Sequence, residues 1–214
     1  NKLRVDLHWG FARRFSFLGP APEVLWDRLH SVPLEKGTVK TFSPEDTILL
    51  LCLHGSKHGW SELKQVVDLA EALRTAQPQP WSSLLDRAGT LGIRRMLLLG
   101  LLLCRDLLGV KLPHNLGELL AQDKGLPPLS RRIQQEIFAG HGVSKVLDGD
   151  ELKLAMLDGK WDRIRYQCHR LLYRLTPTEK DWSLVRLPRG LDPAYFLIRP
   201  LRVLGQRATD VWSR

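Results

Sequence analysis

FSPEDTILLLCLHGSKHGW, Phe42 to Trp60, is the stretch that decides how this chain folds. Ser43 stands before Pro44, Glu45 and Asp46, a helix start with a mechanism. The hydroxyl caps free amides, proline suits the first turn, and acids favour the positive end of the helix dipole. The helix is expected to run to about His58, and a second from Ser61 to Thr75 carries Leu63, Val66, Val67, Ala70 and Leu73 at helical spacing before Pro78 and Pro80 stop it. The two should pack as a hairpin.

Downstream, the same reasoning predicts helices over Trp81 to Thr90, Ile93 to Leu108, Leu116 to Gln122, Ser130 to Ala139 and Asp150 to Leu175, separated by Gly- or Pro-containing loops. Upstream, Val5, Leu7, Trp9 and Phe11 alternate with Arg4, Asp6, His8 and Gly10, which reads as one half-buried strand. After Gly19-Pro20 and Pro22, Glu23 to His30 is expected to be a short helix and Val39 to Phe42 a second extended piece. From Thr176 the tail carries Pro177, Pro188, Pro193 and Pro200 between aromatic residues, and should wrap the body before a last basic helix at about Pro200 to Trp212. The predicted class is α+β, predominantly α: strand remnants of a core over residues 1–42, a helical domain over 43–175 and a Pro-containing wrap with a basic helix over 176–214.

The longest apolar run, Met96 to Cys104, is closed off by Arg94, Arg95 and Arg105 and is far shorter than the roughly 20 residues a bilayer requires. It reads as a buried helix, and no transmembrane segment is expected. Cys52, Cys104 and Cys168 are widely spaced, with no C-x-x-C pair, which points to buried thiols in a reducing cytoplasm. The chain begins at Asn1 with residues that already read as strand and without a leader, so a preceding segment is expected. A net charge of +9 implies attraction to a polyanion, whether nucleic acid, nucleotide phosphates or an anionic membrane, or else arginine-rich solvated helix faces.

Two constellations bear chemistry. On the DLHW strand, Asp6 and His8 project to the same side while Leu7 and Trp9 face the core, and a rigidly held carboxylate suits Mg²⁺. A solvated polar strand face is the structural alternative. In HGSKHGW, His54 and His58 share a helix face, Lys57 lies beside it, and Asp68 comes from the next helix. These residues could form half of a zinc site, although the Glu of H-E-x-x-H is absent. They could form a cationic, hydrogen-bonding wall for a phosphate, with Lys57 or Lys64 as the point charge. They could equally be a helix C-terminus complementing its dipole. No Walker or dinucleotide glycine loop and no G-x-S-x-G elbow occurs.

VDLHW at Val5 to Trp9, the Phe42 to Trp60 stretch, LKQVVDLAEAL at Leu63 to Leu73, Trp81, DWSLVRLP at Asp181 to Pro188 and LIRPLRVL at Leu197 to Leu204 follow one another in an order that resembles an uncharacterised bacterial nucleotidyltransferase family of the polymerase-β-like superfamily. The resemblance implies transfer of a nucleotidyl group from a nucleoside triphosphate to an unknown acceptor. Three carboxylates hold Mg²⁺ while the acceptor attacks the α-phosphorus. It implies that Asp6 is the third of these carboxylates, both catalytic and metal-binding, and that the first two, after a Gly-Ser turn, lie before residue 1. The chain as it stands is then expected not to turn over. Lys57, His54, His58, Asp68 and His8 become nucleotide-binding residues by the same resemblance. The rival reading is a non-catalytic basic module that uses Arg199, Arg202, Arg207, Arg214 and Trp212 against nucleic acid or an anionic surface.

Overall fold

The Ser43 Oγ accepts the Asp46 N–H at 3.1 Å and opens α2, Pro44–His58. The computed structural model describes residues 21–76, 81–139, 149–177, 179–184, 194–196, 199 and 202. Ahead of α2 lie α1 (Pro22–Trp26) and an antiparallel hairpin of β1 (His30–Leu34) and β2 (Gly37–Thr41). Behind it come α3 (Leu63–Thr75), α4 (Trp81–Thr90), α5 (Arg94–Leu108), α6 (His114–Gln122), α7 (Leu126–Ala139), α8 (Gly149–Ala155), α9 (Lys160–Leu175) and α10 (Glu179–Leu184). The chain is α+β and predominantly α. It divides into two compact units, residues 1–163 and 164–214.

In the first unit α5 is the hub, packed against α2, α3, α4 and α7. Every residue from Met96 to Cys104 is buried, because a helix that is apolar all round has no face to give to water. Among the described residues no helix is long and apolar enough to cross a membrane. α2 and α3 pack as the expected hairpin. α2 ends in a Schellman motif: Gly59, at φ 68°, sends its N–H to the Ser56 carbonyl, and the Trp60 N–H reaches the Gly55 carbonyl at 2.8 Å. Trp60 itself has φ 54° and is fully buried. A Cβ on Gly55 would stand 2.7 Å from the Trp60 ring, and one on Gly100 of α5 would stand 3.1 Å from it and 2.7 Å from Leu69. The indole therefore lies in a cradle made by two glycines from two helices.

Asp46, read above as a dipole-favouring acid, is 1% exposed and clamped by two arginines. The Arg28 Nε donates to Oδ2 at 2.9 Å, and Arg87 Nη2 of α4 forms an ion pair with Oδ1 at 2.5 Å without a hydrogen-bonding alignment. Arg28 also reaches Glu45 at 3.1 Å. This node ties the segment after α1 and helix α4 to the start of α2.

Four expectations need correction. The helix placed over Glu23 to His30 ends at Trp26, and His30 opens β1, a strand the sequence reading missed. Val32 pairs with Val39 and Leu34 with Gly37 around a two-residue turn, so long-range pairing overrides the local helical pattern. α7 begins at Leu126 rather than Ser130, since Pro127 and Pro128 fall in a first turn that has no amide donors to lose. Cys52 and Cys104 are buried as expected, with burial pushing the Cys104 thiol up to about 12, but Cys168 is exposed on α9.

The fourth correction concerns the long helix over Asp150 to Leu175, which is broken between α8 and α9. Asp158 leaves the helical path to accept the Arg95 N–H at 2.6 Å and the Arg94 N–H at 2.9 Å, capping α5 from 63 and 64 residues away. Asp162 then accepts the Gly159 N–H at 3.2 Å and restarts the helix. Desolvation raises the Asp158 pKa despite the two amides. Asp158→Ala is expected to lower stability by about 1 kcal/mol. An unchanged denaturant midpoint would mean that other groups satisfy the first amides of α5.

In the second unit the fully buried Asp181 accepts a hydrogen bond from the Arg202 Nε at 2.6 Å. Arg202, 14% exposed, is thereby removed from the free basic surface that the rival reading assigned to it. Arg207, Trp212, Arg214 and most of the expected last helix lie outside the described residues, as does the strand expected to carry Asp6 and His8.

Candidate functional site

The α2–α3 hairpin that buries Trp60 turns His54 and His58 outward. At i,i+4 spacing on α2 they share a face, their ring centroids 4.6 Å apart and their planes tilted by 50°. Leu51, one turn earlier, floors the space beside them, and Glu62, Lys64, Gln65 and Asp68 of the α3 side complete an open cleft of about 290 Å³. Lys64 donates to Asp68 across one turn. Lys64 sits in the first turn of α3, where the dipole disfavours a cation, and Glu62 makes no side-chain cap there. The α3 side of the cleft therefore carries a lysine at the positive end of the helix dipole.

His54, His58 and Asp68 line one cleft, and of the two candidate lysines Lys64 lines it and Lys57 does not. Lys57, half-buried, acts on the cleft through its field. Desolvation first, and then Lys57 and Lys153, lower the His58 pKa from its ordinary 6.5, with Glu62 opposing. Well above its ordinary value His58 is neutral in folded and unfolded chains alike. Below that, the unfolded chain takes the proton first, so the stability His58 contributes is lost as pH falls through its folded pKa. His58→Gln is expected to flatten the acid side of a stability–pH curve. An unaltered curve would show that the cationic field does not reach His58.

Glu62 and Gln65 were missed by the sequence reading, although the spacing of Lys64, Gln65 and Asp68 marks one face of α3. The Gln65 Oε1 is buried and has no hydrogen-bond partner, an orphan acceptor at the cleft wall. Among the described residues no group of three or more His, Cys, Asp or Glu is placed to hold a metal ion. Zinc at His54 and His58 finds no third ligand there. The cleft does not suit Mg²⁺ either: one of its two carboxylates is held by Lys64, and the surrounding field is cationic. The arrangement suits an anion.

The model of a family described as an uncharacterised nucleotidyltransferase matches residues 1–109, a span that contains the whole cleft, the Asp46 node and the Trp60 cradle. No curated protein and no solved structure matches the chain.

Proposed function

Given that the chain belongs to this uncharacterised nucleotidyltransferase family, we propose that the α2–α3 cleft binds the phosphate-bearing part of a nucleoside triphosphate whose nucleotidyl group is passed to an acceptor. The observation that carries the proposal is the convergence of His54, His58 and Lys64 on one open cleft in which a carboxylate has to be held by a lysine. Imidazole N–H groups and an ammonium are the donors a phosphate requires, and charge-assisted bonds of this kind are the strong ones. At about 290 Å³ the cleft is near the lower end of ligand pockets, which fits part of a nucleotide rather than the whole. In this reading Asp68 holds Lys64 in place until the phosphate arrives. Asp6 is the metal-holding carboxylate, on the strength of the family resemblance, in a cytoplasmic Mg²⁺-dependent protein.

The test is a titration of the chain with each of the four nucleoside triphosphates, followed through the His54 and His58 ring signals. A polyphosphate beside His58 reverses the local field, so the His58 pKa should rise on binding. Lys64→Ala should weaken binding by about tenfold, the loss of one hydrogen bond between charged groups, while Lys57→Ala should change it much less. No change in either ring with any triphosphate would reject the cleft. Repeating the titration with Mg²⁺ and Asp6→Asn examines the metal role, which fails if Mg²⁺ dependence is the same in both proteins.

A further inference from the structure

The β1–β2 hairpin has one edge that is blunted and one that is open. Every residue of both strands is exposed, and among the described residues no third strand joins them. The two-residue turn makes Leu34 and Gly37 the pair that exchanges N–H···O bonds, and the pattern then alternates. Val32–Val39 and His30–Thr41 are hydrogen-bonded pairs, whereas Pro33–Thr38 and Ser31–Lys40 are not. Pro33, which has no N–H, fits only the second kind of position. The backbone groups of Ser31, Pro33, Thr38 and Lys40 therefore point away from the hairpin. On the β1 side proline removes one of the two outward donors. On the β2 side both Thr38 and Lys40 keep an N–H and a carbonyl for an incoming strand.

The side chains decide which strand comes in. Val32, Leu34 and Val39 share one face and are 42%, 60% and 51% exposed, an apolar row on a sheet of only two strands. Residues 22–41 set Glu23, Asp27 and Glu35 against Arg28, Lys36 and Lys40, a neutral segment in a chain of net charge +9. Such a segment does not draw a polyanion, and two copies of it meet without net repulsion. β2 is also complementary to itself. In an antiparallel β2–β2 pair, a two-fold axis at Lys40 sets the two lysines face to face, and one at Thr38 sets Lys40 against Lys36 of the second copy. An axis at Val39 sets Lys40 against Thr38 and the two Val39 side chains against each other, a favourable β-branched pair with no like charges opposite. The apolar row then runs Val32, Val39, Val39, Val32 across four strands. We infer that β2 is a self-association edge that pairs antiparallel with β2 of a second copy about a two-fold axis at Val39. The contact is one short strand long, below the area of a stable interface, so the dimer is a weak one that forms at high protein concentration. It is independent of the cleft.

The test is sedimentation equilibrium of the chain over a concentration series, in which a monomer–dimer equilibrium is expected. Thr38→Glu, which sets a carboxylate opposite each Lys40, should tighten the dimer by about fivefold through two symmetric cross-strand pairs. Thr38→Lys should loosen it by about as much. Thr38→Pro should weaken it by at least about tenfold, because each copy loses an outward amide. The melting curve should stay where it is, since that amide lies outside the β1–β2 ladder. If the proline variant does not melt cooperatively, the two charge variants decide alone. Three results would overturn the inference. One is a folded chain that stays monomeric at every concentration, as would follow if a strand of another protein takes the edge. Another is a dimer that Thr38→Glu and Thr38→Lys shift in the same direction. The last is a dimer that a folded Thr38→Pro variant leaves intact.

Discussion

Trp60→Ala should lower the stability of the chain by about 3–5 kcal/mol, the range for emptying a buried aromatic site. The ring is fully buried and is seated where α2 and α5 approach through Gly55 and Gly100, with Leu69 of α3 against it. The two glycines have no side-chain atoms with which to fill the void. Alanine keeps a Cβ at φ 54° and so retains the backbone strain without the packing that offsets it. At this chain length each kcal/mol moves the melting temperature by about 2–4 °C, so the shift should be visible in a thermal scan. Trp60→Phe should cost clearly less, because the indole Nε1 is buried without a hydrogen-bond partner and phenylalanine gives up no bond. The reverse experiment is Gly55→Ala, which drives a methyl to within 2.7 Å of the ring and should cost about 1–3 kcal/mol through overpacking. A loss below about 1 kcal/mol for Trp60→Ala would mean that the cradle collapses freely and that the glycines are not there for the ring.

Asp46→Ala is expected to be nearly as damaging, at about 3–4 kcal/mol, for an electrostatic reason. The carboxylate is 1% exposed and answers two guanidinium groups, so its removal leaves Arg87, 20% exposed, without its counter-charge. Arg28 is 37% exposed and retains Glu45, so its share of the loss is screened and smaller. The helix cap should survive, because Ser43 accepts the backbone amide of residue 46 whatever its side chain. The measurement is therefore a double-mutant cycle between Asp46→Ala and Arg87→Leu. Asp46→Ala should cost much less in the Arg87→Leu background, since there the half-buried cation is gone. Additive losses would show that the two residues do not work as a pair.

These two sites show what could be read from one dimension. The helices of the hairpin and of α4 and α5 are legible because their signals are local: Ser43-Pro44 at a start, glycine at an end, apolar residues at helical intervals. The break between α8 and α9 is marked locally only by the turn-forming pair Asp158-Gly159; the two amides that the carboxylate caps lie 63 and 64 residues away and are not legible there. Asp46 was legible as an acid at a helix start but not as a buried one, since its burial is set by arginines from both sides of it in the chain. In the cleft, four-residue spacing was enough to put His54 and His58 together. It could not choose between Lys57 and Lys64, because the choice depends on how α3 lies against α2. Gly55 reads as a flexible residue in HGSKHGW, whereas its role is steric and is visible only once the indole is in place.

The cap that Asp158 places on α5 also bears on how fast the molecule opens. The α2–α3 hairpin joins residues close in the chain and is available early, but the Asp158 carboxylate meets its amides only after a loop of more than sixty residues has closed. An interaction of that span is expected to form after the rate-limiting barrier to folding. Its removal should then leave the refolding arm of a chevron plot nearly in place and raise the unfolding arm, so that Asp158 governs the lifetime of the native state rather than the speed of reaching it.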